Sequence, residues 1–188
     1  MFRLVKASLA AALVSLSVSV APVGAASNNL ASEFPLRMLA AHNVVRAEAG
    51  VSPLSWDPAL ADQSARYAME LAFTNSFQHS NRKARPGVGE NLWMGTHSAY
   101  SFEAMISGWS GERRYFVPGV FPAVSRSGDW EDVGHYTQMV WPTTTRVGCA
   151  VASNASRDFL VCHYSPAGNI DGRPMQYATA TAARYAGR

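Results

Sequence analysis

The segment Gly134-His135-Tyr136-Thr137-Gln138-Met139-Val140-Trp141 sets a histidine, a glutamine and two aromatics within two helical turns. A histidine in that setting can move a proton, ligate a metal or fix a hydrogen bond, and packing gives little other reason for His-Tyr-Thr-Gln on a short helix. Glu90 precedes the apolar run Leu92-Trp93-Met94; a carboxylate carried into a core-facing strand needs a partner, because an unpaired buried charge is costly. His79, in Phe77-Gln78-His79-Ser80, reads by itself as a solvated loop histidine. Glu112, ahead of Arg113 and Arg114, suits a surface ion pair equally well. The patterns that announce a hydrolase are missing: there is no Gly-x-Ser-x-Gly elbow and no His-Glu-x-x-His helix.

The two cysteines, Cys149 and Cys162, lie in β-rich runs (147–152 and 159–164) joined by the polar connector Ser153-Asn154-Ala155-Ser156-Arg157-Asp158. This is a hairpin pattern. In an exported chain the pair is most simply a disulfide, which on loop-closure grounds stabilises by roughly 3 kcal/mol. A metal-binding thiol pair would need further ligands nearby, and His163 alternates to the other face of its strand from Cys162. Asn154-Ala155-Ser156 fits a glycosylation acceptor in a host that glycosylates.

Export is read from the first residues. Arg3 and Lys6 precede an apolar run from Ala7 to Val20, and Val23-Gly24-Ala25 offers small residues for cleavage after Ala25, with Ala26 as the neighbouring choice. That is a secretory signal over 1–25, too short and too serine-diluted for a membrane span. Its removal takes two of the 16 basic residues and leaves 14 against 13 acidic ones. A nearly neutral chain argues against nucleic-acid binding. The one basic cluster, Arg82-Lys83-Ala84-Arg85, reads as a solvated loop. After cleavage the expectation is a secreted or periplasmic monomer, not an integral membrane protein.

The elements that must position these side chains come in the order helices, then strands. The spacing predicts a helix over Pro35–Ala49 with Leu36, Leu39, Ala40 and Val44 on one stripe, and a second over Pro58–Phe73 capped by Asp57. A polar loop over 75–88 leads to a strand over Glu90–Met94. Ser101 caps a third helix reaching about Tyr115. The Gly/Pro/Ser-rich stretch 117–132 reads as a long surface loop, and 135–141 as a short helix stopped by Pro142. Strands follow, then a frayed tail. The domain division is signal 1–25, extension 26–35, core domain 36–177 and tail 178–188, with an α+β fold class.

These residues carry a resemblance. Gly134-His135-Tyr136-Thr137-Gln138 and Cys162-His163-Tyr164-Ser165-Pro166-Ala167-Gly168-Asn169 look like the two signature motifs of the CAP superfamily (cysteine-rich secretory proteins, antigen 5 and pathogenesis-related 1 proteins). His42-Asn43-Val44-Val45-Arg46 and Gly89-Glu90-Asn91-Leu92 match two further family motifs in the family's order. The resemblance covers 36–177 and implies a three-layer α-β-α sandwich. Many eukaryotic relatives carry six or more cysteines. This chain has two and no cysteine-rich extension, which fits a single-domain bacterial-type member, and activities tied to such extensions do not carry over.

The resemblance also implies a site: His79, Glu90, Glu112 and His135 as the family's two histidines and two glutamates. Two imidazoles and two carboxylates can bind Zn²⁺ or another divalent cation, or hold one another in a charged hydrogen-bond network in which each carboxylate raises the pKa of a neighbouring imidazole. His42 and His163 are expected to satisfy hydrogen bonds in the core and beside the hairpin, and His97 to lie in a loop. Phe116, Val117, Val120, Phe121 and Val124 could form an apolar lip that meets a ligand, although folding back over the core competes with that reading. Three functions follow in rank order. The first is a module binding a lipid, sterol or cell-envelope ligand, and the second a structural protein with a vestigial site. The third is an esterase or peptidase in which Glu90 and His135 act directly or through a metal-bound water.

Overall fold

The computed structural model describes residues 24–175, with side chains from Glu33 onward. The tail expected over 178–188 and all but the end of the export signal lie outside the described residues. Helix α1 spans Gly24–Glu48, so it runs through the stretch set apart as an extension and carries Pro35 inside it. Its buried face is not the expected stripe. Leu36 and Val44 are 69% and 59% exposed, whereas Met38, His42, Val45, Arg46 and Ala49 are buried. Counting apolar residues failed here because His42 and Arg46 face inward and are fully hydrogen-bonded there.

Strand β1 is Ser55–Trp56 and helix α2 is Pro58–Thr74. The Asp57 side chain accepts from the backbone N–H groups of Ala59 and Leu60, and Asn75 ends the helix at φ 49°. These are the two terminal devices that leave few helix-end groups unpaired. Strand β2 is Gly89–Thr96, and α3 is Phe102–Ser110, capped by the Ser101 hydroxyl. A 3-10 segment over Gly111–Tyr115 replaces the last turn expected of α3. Strand β3 (Gly119–Val120), a 3-10 turn over Trp130–Val133, helix α4 (Gly134–Met139), and strands β4 (Arg146–Ser153), β5 (Arg157–Ser165) and β6 (Pro174–Met175) complete the order.

The main sheet runs β1-β4-β5-β2, with β1 parallel to β4 and the other neighbours antiparallel. Cys149 and Cys162 are direct partners in the β4–β5 ladder and form a disulfide. Helix α2 packs on one face over Leu92, Phe159 and Val161. The larger core lies on the other face, beneath α1, α3 and α4. The result is an α+β, three-layer α-β-α sandwich. Gly148 sets how closely α2 approaches: a Cβ there would fall on the backbone N of Ala61 and lie 2.6 Å from the Asp57 carbonyl oxygen. Among the described residues, no helix is long and apolar enough to cross a membrane.

The 117–132 stretch is not a free surface loop. Phe116 bridges to Ser125, β3 pairs with β6, and Phe121 packs edge-on against Trp130 and Trp141. Phe116, Phe121 and Val124 are core residues, Val117 is half-buried, and Val120 stands exposed at 52%. The apolar lip expected of these five residues is therefore not a surface. Burying three large side chains is worth several kcal/mol, which outweighs leaving them to wait for a ligand.

Candidate functional site

Strand β2 is an edge strand, and its first residues decide the site. Alternation along it sends Glu90 to the α2 face and Asn91 to the α1 face. Glu90 lies opposite His163 on β5. Its side chain is fully enclosed and gathers five donors. His79 Nδ1 lies 2.7 Å from Oε1, the Ser80 backbone N–H donates to Oε1 at 2.9 Å, and the Ser80 hydroxyl donates to Oε2 at 2.6 Å. His163 Nε2 lies 3.1 Å from Oε2, and the Arg85 guanidinium 3.5 Å from Oε1. Burial pushes this carboxyl up, but the hydrogen bonds from His163, His79 and Ser80 and the charge of Arg85 outweigh it and hold it well below the usual carboxylate range.

The second pair forms where the 3-10 segment after α3 meets α4. Glu112 Oε1 lies 2.6 Å from His135 Nδ1, and its Oε2 accepts from the backbone N–H groups of His135 and Tyr136, each at 3.0 Å. One carboxylate thus caps the first turn of α4 and fixes the ring of the residue it caps. The His135 ring stacks on Trp109 at 5.9 Å and 11°, and Trp109 is itself anchored by its Nε1–H to the Leu92 carbonyl. Asn91 ties the two halves together, donating from Nδ2 to the His135 carbonyl at 3.0 Å.

The four expected residues therefore assemble as two His–carboxylate pairs flanking β2. Among the described residues no three of their ligand atoms gather within 4.8 Å of one another, so this is not a ready-made four-ligand metal cage. A carboxylate accepts only, so each histidine donates from Nδ1, and its neutral form carries the lone pair on Nε2. That is how carboxylates commonly orient metal-ligating histidines from behind. The donor set thus fits a divalent ion held by imidazole Nε2 atoms, with Glu90 and Glu112 as orienting groups rather than ligands. Enclosure also removes Glu90 from contact with any substrate. His42, Cys149 and Cys162 do approach one another within 4.8 Å, but the sulfurs are joined and offer no thiolate.

Two members of the site were missed in the sequence. His163 is no mere partner of backbone groups: its rings' two nitrogens meet Glu90 and the Ser64 hydroxyl. Arg85 is not part of a solvated run, since it donates to the Ser80 hydroxyl and the Val88 carbonyl and leans on Glu90. The signal for both was the strand carboxylate itself, which demands compensation. Which cation and which imidazole answer it depends on the β2–β5 register and on a loop. Between that loop and α2 lies a polar cleft of about 500 Å³, lined by Arg66, Tyr67, Glu70, Gln78, His79 and Arg85 among others. A shallower, mainly apolar groove of about 440 Å³ runs past Phe34, Trp56, Ala61, Ala65 and Val151.

Beneath the site the His42/Arg46 motif fixes α1. His42 donates from Nδ1 to the Met38 carbonyl (2.7 Å), and its Nε2 meets the Tyr164 hydroxyl at 2.8 Å. Arg46 donates to the carbonyls of Ser52, Met139, Trp141 and Thr144. It thereby clamps the exit of α4, the helix that carries His135.

A family model, the cysteine-rich secretory protein family (CAP), matches residues 39–164. Pathogenesis-related protein 1C of Nicotiana tabacum is 35% identical over 136 residues, covering 72% of this chain and 76% of the relative. Pathogenesis-related leaf protein 4 of Solanum lycopersicum is 36% identical over 143 residues, covering 76% and 83%. Among solved structures, NaASP2 determined with Zn²⁺ superposes with a TM-score of 0.65 at 27% identity, covering 78% of this chain and 86% of that one.

Proposed function

Since the chain belongs to the cysteine-rich secretory protein (CAP) family, we propose that it is an exported binding module. It takes a polar ligand in the cleft beside His79 and uses His79 and His135 as ligands for a divalent ion such as Zn²⁺. The observation that carries this is the pair of Nδ1-to-carboxylate hydrogen bonds, which leave Nε2 of both histidines as the basic nitrogen. Such an ion would supply Lewis acidity or a bridging charge to a bound ligand, and its remaining positions would go to water or that ligand. A structural neighbour determined with Zn²⁺ supports the reading. Amides, hydroxyls and both signs of charge line the cleft, which suits a hydroxyl- or amide-rich cell-envelope component. Binding is favoured over ester or peptide hydrolysis because Glu90, the candidate general base, is enclosed and bonded on both oxygens.

A lipid or sterol is the second reading, favoured by the apolar groove past Phe34 and Trp56 rather than by the 117–124 residues. The disulfide suits an oxidising compartment, secreted or periplasmic. The test is calorimetric titration of the mature protein with Zn²⁺ beside His79→Ala and His135→Ala. Binding in the micromolar range, weakened in both variants, supports the reading, and the stoichiometry separates one shared ion from one ion at each imidazole. Absence of binding, or binding indifferent to both substitutions, removes the metal from the proposal.

A further inference from the structure

Away from the cleft, at the far end of β2, three side chains form an ordered relay. Asp158 is buried at the start of β5. It accepts from the Ser153 hydroxyl at 2.6 Å, from the Ser98 backbone N–H at 2.8 Å, and from His97 Nδ1 at 2.7 Å. Since the carboxylate only accepts, His97 carries its proton on Nδ1 and presents a basic Nε2. That Nε2 lies 3.3 Å from the Ser98 hydroxyl oxygen. The order is carboxylate, imidazole, hydroxyl, the order that nucleophilic serine chemistry uses, with the last contact slightly longer than a tight nucleophile–base hydrogen bond.

We propose that Ser98, His97 and Asp158 form an acyl-accepting serine site for small, activated esters. Two observations beyond the distances support it. Ser98 sits at φ 58°, a left-handed conformation that a serine adopts at an energetic cost and that glycine would take freely. The turn Thr96–Ala99, closed by the Ala99 N–H to the Thr96 carbonyl, uses that φ to bring Ser98 back over the ring of the residue before it. Holding the β2–β5 end together accounts for the Asp158 bonds to Ser153 and Ser98 N–H, but it does not require a hydroxyl on Nε2. His97 and Ser98 are exposed, so an incoming carbonyl reaches the oxygen directly.

The step balances without a cofactor. Ser98 Oγ adds to the ester carbonyl carbon while its proton passes to His97 Nε2. The carbon–alkoxide bond then breaks, the alkoxide leaves with that proton, and Ser98 holds the acyl group until water repeats the sequence. Asp158 stays ionised and steadies the imidazolium; burial raises its carboxyl pKa, but bonds from Ser153 and His97 lower it further, for a net decrease. The Ser98 N–H is committed to Asp158, so water alone meets the developing oxyanion. Turnover is therefore slow, and covalent capture is the proper readout.

The test treats the mature protein with an alkyl fluorophosphonate. Attack makes a Ser98 Oγ–P bond, fluoride leaves, and His97 takes the proton; the adduct is mapped by peptide mass spectrometry. The expected result is a single adduct on Ser98, formed at least about tenfold faster than in His97→Gln and absent in Ser98→Gly. Glycine suits the left-handed φ, so that variant keeps its fold. No adduct at Ser98, or equal labelling in His97→Gln, overturns the proposal. Neither substitution touches His79, Glu90, Glu112 or His135, so this result and the zinc titration are decided separately.

Discussion

His42 makes folding stability depend on pH in a calculable way. The ring is fully buried against Trp109 and Tyr164, donates to the Met38 carbonyl, and lies near Arg46. Burial depresses its pKa to about 4, the Met38 carbonyl opposing and Arg46 adding to the drop. In the unfolded chain the ring titrates near 6.5, so between pH 6.5 and 4 the unfolded state binds the extra proton. Stability is therefore complete above pH 6.5, falls as the pH drops through that window, and levels off below 4. The full shift corresponds to about 3 kcal/mol, of which about 2 kcal/mol is lost between pH 7.5 and pH 5. Glu90, whose pKa is also depressed in the fold, adds its own loss only below the ordinary carboxylate range, near pH 4.5. The upper part of the window thus isolates histidine. Urea unfolding of the wild type and His42→Gln at pH 7.5, 6.5, 5.5 and 5 is the assay. His42→Gln is less stable at pH 7.5 but flatter by about 2 kcal/mol between pH 7.5 and 5. Parallel profiles for the two proteins, or a His42 titration midpoint near 6.5 by NMR, would refute the reasoning.

Arg46→Met removes four donated hydrogen bonds; it strips the buried Met139 and Thr144 carbonyls of their donor and leaves the Trp141 carbonyl with the Thr144 N–H alone. Urea unfolding should register a loss of about 3–5 kcal/mol, from about 1–3 kcal/mol for each buried carbonyl left unsatisfied; a loss below about 1 kcal/mol contradicts the clamp. Gly148→Ala forces a methyl group onto the α2 backbone at Ala61 and Asp57, and a stability loss of at least about 2 kcal/mol is expected. A neutral result means α2 can slide on the sheet. Glu112→Gln keeps the size of the side chain but weakens the hold on His135 Nδ1 and on the α4 N-terminus. Zinc affinity should fall about 10- to 100-fold in that variant, and an unchanged Kd would deny Glu112 its orienting role.

Much of this architecture was legible in residue types. Asp57, Pro58 and Ser101 marked helix starts, and the cysteine-bearing runs marked a hairpin whose register places Cys149 opposite Cys162. The carboxylate Glu90 and the motif around His135 announced a site. Three things were not legible. The inward face of α1 is polar, and hydropathy cannot tell an Arg46 bonded to four carbonyls from an exposed one. The 117–132 stretch reads as loop because its Gly and Pro residues break periodicity, yet its aromatic residues fill the core. The tetrad divides into pairs because side-chain alternation on β2 sends Glu90 and Asn91 to opposite faces, and the sequence does not reveal on which face each neighbouring segment arrives. The Ser98–His97–Asp158 relay joins residues about sixty positions apart through the β2–β5 register, so His97 alone looked like an ordinary loop residue.

The claim on which the account rests is that His79 and His135 are held with Nδ1 protonated and Nε2 ready for a ligand. Long-range ¹H–¹⁵N correlation spectra of histidine-labelled protein, recorded at pH 7.5 before and after Zn²⁺, test it directly. The account predicts the Nδ1–H tautomer for both residues and a zinc-dependent shift at both Nε2 nitrogens, with His42 and His163 unmoved. An Nε2–H tautomer at either residue, or spectra that zinc leaves unchanged, would contradict it.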